Sequence, residues 1–531
     1  MNTTEIATDS VAVNDQSTQT FVERLATNVG HLPIGRAWIR TGFIYLLLSA
    51  VIGLLIGVER ISLSGSELFS DGDQFFQFWS LYRVGIVLLG VVPIILGIAT
   101  CIVPLQIGAN TIVFPRAAAF GFWIWFLGSG ITLFGFLADG GFGAPELGSQ
   151  QEAVALTLVG FLLVIGGICV STVTVLTTIV TGRTLGMTLR RIPLFSWTMM
   201  VAGTLWIATL PVLAANSILS YVDLRGRSAI YFGLEDMIWE QLSWAFSNPQ
   251  LYVFVLPLIG IAYDIIPVAV KVRQKNHEAL LVATGLFGAV SFGAYVQPFF
   301  DTPGTPVVEE ALYVLTAFLA IPVMLFILGG LLDTLRQGAK NLTNHPPAPM
   351  LLAFLSVLLL LIGTVLGAMR AIEPFELVST SSITAQMTFT IGAALASVIA
   401  AMLWWGDRIT GKSGTQGIVL LAGILVVVGV ILSGLSDAIS GFLGLNEFVG
   451  VNLVTAGSPN SVVQVFNTAS AFGALLILGG LLLCLIVGIR RFRGPESKID
   501  PWGGHTLEWT EDKIEVHSER PLLDISEKVG L

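Results

Sequence analysis

Twelve apolar runs, each long enough to cross the ~30 Å hydrocarbon layer as a helix of ~20 residues, constrain this chain more than any other feature. They lie at about 38–59, 84–107, 117–138, 153–181, 195–220, 243–268, 278–300, 311–332, 350–369, 384–405, 416–436 and 460–489. Soluble domains carry ~25% charged residues, whereas this chain has 11% charged and 54% hydrophobic residues. Three or four soluble units in 531 residues are therefore excluded in favour of one integral membrane body.

Residues 1–37 are polar and contain no short apolar stretch of the secretory kind, so no cleavable signal peptide is expected. The division that follows is a cytoplasmic tail at 1–37, a membrane domain at 38–489 and a second cytoplasmic tail at 490–531. Basic residues set the orientation, because cytoplasmic segments retain Lys and Arg. With the N-terminus inside, all but five of the 26 Lys and Arg fall on the inner side; the exceptions are Arg60, Arg83, Arg225, Arg227 and Arg370. Both termini are then cytoplasmic, and the outer loops are acidic, from Asp139 and Glu146 through Asp301 to Glu373 and Glu447. That face could steer a basic electron-carrier protein, or its charge could be the remainder left by the inward bias of the cations.

The net charge of −9 gives a nucleic-acid partner no basic footprint. Cys101, Cys169 and Cys484 sit singly in apolar runs and read as core residues, not disulfide or zinc ligands. Ionisable groups inside a bilayer are costly and mark function, but mid-run positions offer few. Asp264, Asp333, Asp407 and Asp437 lie near run ends, where interfacial solvation is expected, and Arg83 is expected to snorkel from the start of the second helix. The five histidines, His31, His277, His345, His505 and His517, all fall outside the runs. Imidazole ligation of haem iron or copper within the bilayer is thus not available from this chain alone. Pairs such as Gly363 and Gly367 suit close helix packing.

Several phrases, in order and at characteristic spacing, resemble catalytic subunit I of the haem–copper cytochrome c oxidases over essentially the whole chain. They include Val103-Pro104-Leu105-Gln106-Ile107-Gly108 with Phe114-Pro115-Arg116, and Arg191-Ile192-Pro193-Leu194-Phe195-Ser196-Trp197. Trp244-Ala245-Phe246-Ser247-Asn248-Pro249-Gln250-Leu251-Tyr252 is similar to the family's sixth helix and Ala320-Ile321-Pro322 to its eighth. Phe442-Leu443-Gly444-Leu445 and the tail phrase Pro501-Trp502-Gly503-Gly504-His505-Thr506-Leu507-Glu508-Trp509 complete the match. The resemblance implies an all-α integral membrane protein with twelve transmembrane helices in the oxidase subunit I arrangement, two haems and one copper, and partner oxidase subunits in a bacterial or archaeal plasma membrane.

The family's chemical residues are missing from this chain. Its His-Pro-Glu-Val-Tyr, which supplies a copper ligand, a proton-relay acid and a crosslinked tyrosine, corresponds to Asn248, Pro249, Gln250, Leu251 and Tyr252. Asn248 and Tyr252 would share a helix face at i,i+4. The paired copper histidines correspond to Ala294 and Tyr295, and the low-spin haem histidine to Tyr82, or to Leu81 in a shifted register. The His-Phe-His holding both haems corresponds to Ala385, Gln386 and Met387, within one residue. Proton-path positions read Thr111 and Phe326, and no Arg pair follows Leu445.

Three functions stay open on this reading. The first is a cofactor-free structural or regulatory subunit of a respiratory oxidase assembly. In the second, the chain is an active terminal oxidase with unusual ligands, where Met387 and Tyr82 would be the axial candidates and Tyr252 would keep its family role; the plain alternative is that all three are packing residues. The third is a transporter or channel through vacated cavities lined by Gln250, Tyr252, Tyr295, Gln297, Gln386 and Thr388.

Overall fold

The computed structural model describes residues 30–61, 68–69, 72–143, 149–226, 231, 237–293, 307–341, 346–447, 461–498, 500–504 and 506–510. Most of both terminal tails, with His345, His505, His517, Ala294, Tyr295 and Gln297, lies outside them. Among the described residues, eleven helices are long and apolar enough to cross a membrane.

In chain order the helices are α1 His31–Glu59, α2 Gln74–Ile107, α3 Pro115–Leu137, α4 Ser149–Thr181, α5 Leu194–Gly226 and α6 Leu251–Ala269. They continue with α7 His277–Val290, α8 Val307–Gly338, α9 Ala348–Arg370, α10 Ser382–Trp404, α11 Gln416–Phe442 and α12 Ser461–Arg491. The eleven membrane-length helices are all of these except α7. Sequence neighbours pack as antiparallel pairs, notably α3 with α4, α9 with α10 and α11 with α12, while α12 also packs on α1.

The seventh run departs from expectation. Its helix has 14 residues, about 21 Å at 1.5 Å each, instead of running from 278 to 300. Non-helical residues extend it, and the Gly293 amide reaches the Gln250 Oε1 atom at 2.9 Å, beside the start of α6. Because α7 begins a short loop after the α6 C-terminus, the segment covers the depth of α6 although its helix is short.

Several boundaries move as well. The first helix begins at His31, inside the stretch assigned to the tail, and His277 opens α7, so two histidines stand at helix starts. The second helix begins about ten residues before its apolar run and contains a π-helical stretch at Gly85–Val91. Such stretches add a residue to the turn and often lie at functional sites; Tyr82 and Arg83 immediately precede this one.

The described helix ends carry two polar assemblies at opposite ends of the bundle. One gathers the starts of α2, α6, α10 and α12 and the ends of α1, α9 and α11. The opposite assembly joins the start of α1 to the Gly406–Thr410 turn through Arg36 Nε and the Ile409 carbonyl at 2.6 Å, and it also holds Glu508 of the tail. The described terminal segments therefore meet at one end of the bundle.

Candidate functional site: paired charges over a membrane-depth cavity

Arg83 does not snorkel. It lies within α2, is 3% exposed, stacks on the Trp79 ring at 4.4 Å, and donates to Glu447 and to Thr384 Oγ1. The path after α11 explains how Glu447 gets there. Gly444, at φ +82°, turns the chain back in a left-handed conformation that costs glycine little. Residues 445–447 then run antiparallel to 379–381, with Ser381 N donating to Leu445 O at 2.8 Å and Glu447 N to Ser379 O at 3.0 Å. This carries the Glu447 carboxylate over the start of α10, opposite Arg83. Burial pushes that carboxyl above its ordinary range while Arg83, and more distantly Arg370 and Arg60, pull it down.

Asp437 is not solvated at an interface either. It is 2% exposed and accepts from Arg60 Nη1 at 3.1 Å. Three of the five outer arginines, Arg60, Arg83 and Arg370, are thus buried. Asp407 likewise pairs with Arg491 and accepts from Ser497 Oγ. Asp264 accepts from the Leu194 and Phe195 amides at 3.2 and 3.3 Å, which serves the start of α5. Of the four aspartates, Asp333 keeps an exposed contact, with Gln337 one turn on.

The two ion pairs border a cavity of about 80 Å³, counted over positions a water centre can occupy. Tyr82 and Met387 both line it, from α2 and α10, as do Thr384, Thr388, Ile391 and Leu395. Tyr82 lines the cavity, while Leu81 is a core residue outside its wall.

Gln386 turns the other way. Its Nε2 donates to the Tyr252 hydroxyl at 2.9 Å, its Oε1 accepts from Arg370 Nη1 at 3.1 Å, and Tyr252 donates onward to the Gly363 carbonyl at 3.2 Å. Gly367 permits this meeting, since a Cβ there would clash with Tyr252 Oη and lie 2.9 Å from Gln386 Nε2 and 3.1 Å from Asn248 Oδ1. Asn248 and Tyr252 do converge, but not along a shared helix face: Asn248 sits in the turn before α6 and only Tyr252 is helical. Gln250 is held separately, donating to Thr209 Oγ1 at 3.2 Å and accepting from Gly293 N. The neutral polar residues considered for a transport path are therefore split, Gln250, Tyr252 and Gln386 in bonded contacts and Thr388 on the cavity wall. Phe326 is 53% exposed on the flank of α8, away from the interior.

At the opposite end, Gln106 Nε2 donates to both Asp264 Oδ2 at 2.7 Å and Glu508 Oε1 at 3.2 Å, and its own Oε1 accepts from Ser196 at 2.7 Å. The Trp405 indole also donates to Glu508 at 3.4 Å. Glu508 is 1% exposed, and its burial raises its carboxyl above the ordinary range. Glu447, Arg60 and Glu508 were not recognised as site residues from the sequence. For the two arginines Arg60 and Arg83, an available signal was that they break the inward bias of the cations.

A bundle of membrane-length helices with charges paired at both ends is a multi-pass integral membrane protein, and comparison with known proteins narrows the class. The family model described as cytochrome C and quinol oxidase polypeptide I matches residues 33–476. Cytochrome c oxidase subunit 1 of Bacillus subtilis is 27% identical over 504 residues, covering 91% of this chain and 78% of that protein. The Alkalihalophilus pseudofirmus subunit is 29% identical with the same coverage of each chain. A haem–copper terminal oxidase dimer solved by cryo-EM superposes with a TM-score of 0.69 at 15% identity, over 93% of this chain and 89% of that one. The chain belongs to the cytochrome c and quinol oxidase polypeptide I family and is an integral protein of the plasma membrane.

The described residues do not fit the haem and copper that this family binds. Where the family resemblance implies a copper histidine stands Asn248, whose Oδ1 and Nδ2 are buried without a partner among the described residues. Such an amide is served by a water and not by copper, which takes imidazole. Beside it Tyr252 and Gln386 are hydrogen-bonded to each other, next to Gly367. In the other half, Tyr82 and Met387 are chemically able to meet iron. However, the cavity they share is well under the ~300 Å³ at which ordinary ligand pockets begin, and its two arginines already hold carboxylates.

Proposed function

We propose that this chain is a cofactor-free member of the family, serving as a structural or regulatory subunit of a respiratory oxidase assembly. The observation that carries this reading is the Arg370–Gln386–Tyr252–Gly363 chain of hydrogen bonds, in which Tyr252 holds the position that the resemblance gives to the tyrosine beside copper and Gln386 stands between the two haem-ligand positions Ala385 and Met387. Other oxidase subunits are the partners this role requires, together with surrounding lipid, and no nucleic acid. In the orientation with both termini cytoplasmic, the Arg83–Glu447 end faces outward, and its acidic loops offer a docking face for a basic electron carrier.

One observation favours a second reading. Tyr82 and Met387 line one cavity, so a terminal oxidase with unusual ligands, reducing dioxygen with Tyr252 in its family position, is the competing account. An absorption spectrum with haem and copper analysis on the purified protein separates the two. The cofactor-free subunit gives no Soret band and co-purifies with a histidine-bearing subunit I; stoichiometric haem sinks it.

A further inference from the structure

We infer that the cavity beneath the two ion pairs binds one hydrocarbon chain of a membrane amphiphile whose head is an uncharged carbonyl group. The inference rests on the cofactor-free reading, since a haem would claim the same space. Along α10 the wall runs from Thr384 to Leu395, eleven residues or about 16 Å of helix. The deep part is apolar, formed by Ile391, Leu395, Val430, Ile477 and Leu481 from three helices, and water gains little there. About 80 Å³ spread over that length suits a single hydrocarbon chain in its deep part.

The polar end determines the head. Arg60 is matched by Asp437 and Arg83 by Glu447, so the wall presents two cations and two anions already joined. An ionised head would have to break one of these pairs in a buried setting, at the cost of an uncompensated charge. The Ser433 and Ser470 hydroxyls bond to each other at 3.0 Å, and Thr384 accepts from Arg83. Tyr82 and Thr388 differ: both line the cavity, and among the described residues neither hydroxyl has a protein hydrogen-bond partner. Two donors above an apolar slot match a carbonyl at the top of a chain. A glycerolipid ester and an isoprenoid quinone both have that chemistry.

The test uses the full chain, purified and washed in detergent, with its organic extract quantified by mass spectrometry. The same protein is then offered dioleoylglycerol or decylubiquinone and examined by native mass spectrometry. We expect about one retained equivalent of a carbonyl-headed chain, and preferential rebinding of one probe identifies the source. Tyr82→Phe and Thr388→Val each remove one hydroxyl with little change in shape, and each should weaken retention roughly five- to ten-fold, as for one lost hydrogen bond. Ala474→Phe, which fills the slot, should abolish it. A protein holding neither haem nor amphiphile overturns this inference alone, as does equal retention by Ala474→Phe and the parent. Stoichiometric haem in the extract overturns the cofactor-free reading and this inference with it.

Discussion

Gln386 gives its side-chain amide to the Tyr252 hydroxyl across 2.9 Å, joining α10 to α6. Gly367 of α9 lies against both groups. Substituting Gly367→Ala would drive a methyl group into the Tyr252 oxygen. Because the surroundings are already bonded, overpacking of this kind should cost ~1–3 kcal/mol, read as a lowered midpoint of thermal unfolding in detergent. A midpoint equal to that of the parent would mean that the site is open enough to move aside.

Tyr252→Phe removes the acceptor of Gln386 and the donor to Gly363 while retaining the ring. The buried Gln386 amide is then left short of a partner, with an expected loss of ~1–3 kcal/mol. Adding Gln386→Leu to Tyr252→Phe removes that amide but also the acceptor of the buried Arg370 Nη1, so the double variant should remain below the parent. A double-mutant cycle on unfolding midpoints measures the coupling.

Glu447→Gln leaves the Arg83 guanidinium buried beside Trp79 without its anion. Breaking one partner of a buried pair costs ~3–5 kcal/mol, while replacing both with apolar residues is often neutral. Arg83→Met with Glu447→Leu should therefore unfold near the parent midpoint, and Glu447→Gln alone well below it.

The Glu508 carboxyl docks the tail phrase on Gln106 and Trp405, with Asp264 on the same amide nitrogen and Arg408 near enough to feel its charge. Burial raises its pKa, so the docked tail is favoured by the protonated acid. That contribution is complete below the ordinary glutamate value of ~4.3 and is lost as pH rises through the raised one. Hydrogen-exchange protection factors at residues 506–510 should fall with rising pH in the parent and stay flat in Glu508→Gln. A pH-independent parent would contradict this.

The membrane helices were legible because apolar run length is a one-dimensional signal. Every run except the second starts within about eight residues of its helix, and α1 ends at Glu59 as expected. The departures have physical causes. The first turns of α2 are polar because Gln77, Ser80 and Arg83 are buried against partners, so hydropathy cannot detect them. The α7 helix stops at Val290, where Ser291 returns its hydroxyl to the Phe287 carbonyl at 2.6 Å and the chain leaves the helix. The residues that the resemblance sets against the family's ligands could be read one by one. The buried ion pairs could not, because Glu447 reaches Arg83 across 364 positions and Arg60 reaches Asp437 across 377. Read singly, a charge near a run end looks solvated; only its distant partner makes it a buried pair.

Whether this chain holds the oxidase scaffold without its haems and copper is decided by the absorption spectrum of the purified full-length protein, taken with pyridine-haem and copper quantification on the same sample. We predict no Soret band and less than about a tenth of an equivalent of either cofactor, because copper takes imidazole and the positions matched to the family's ligands carry none. A Soret band at one equivalent of haem per chain, weakened in Met387→Leu or Tyr82→Phe, would contradict this and make the chain an oxidase with new ligands.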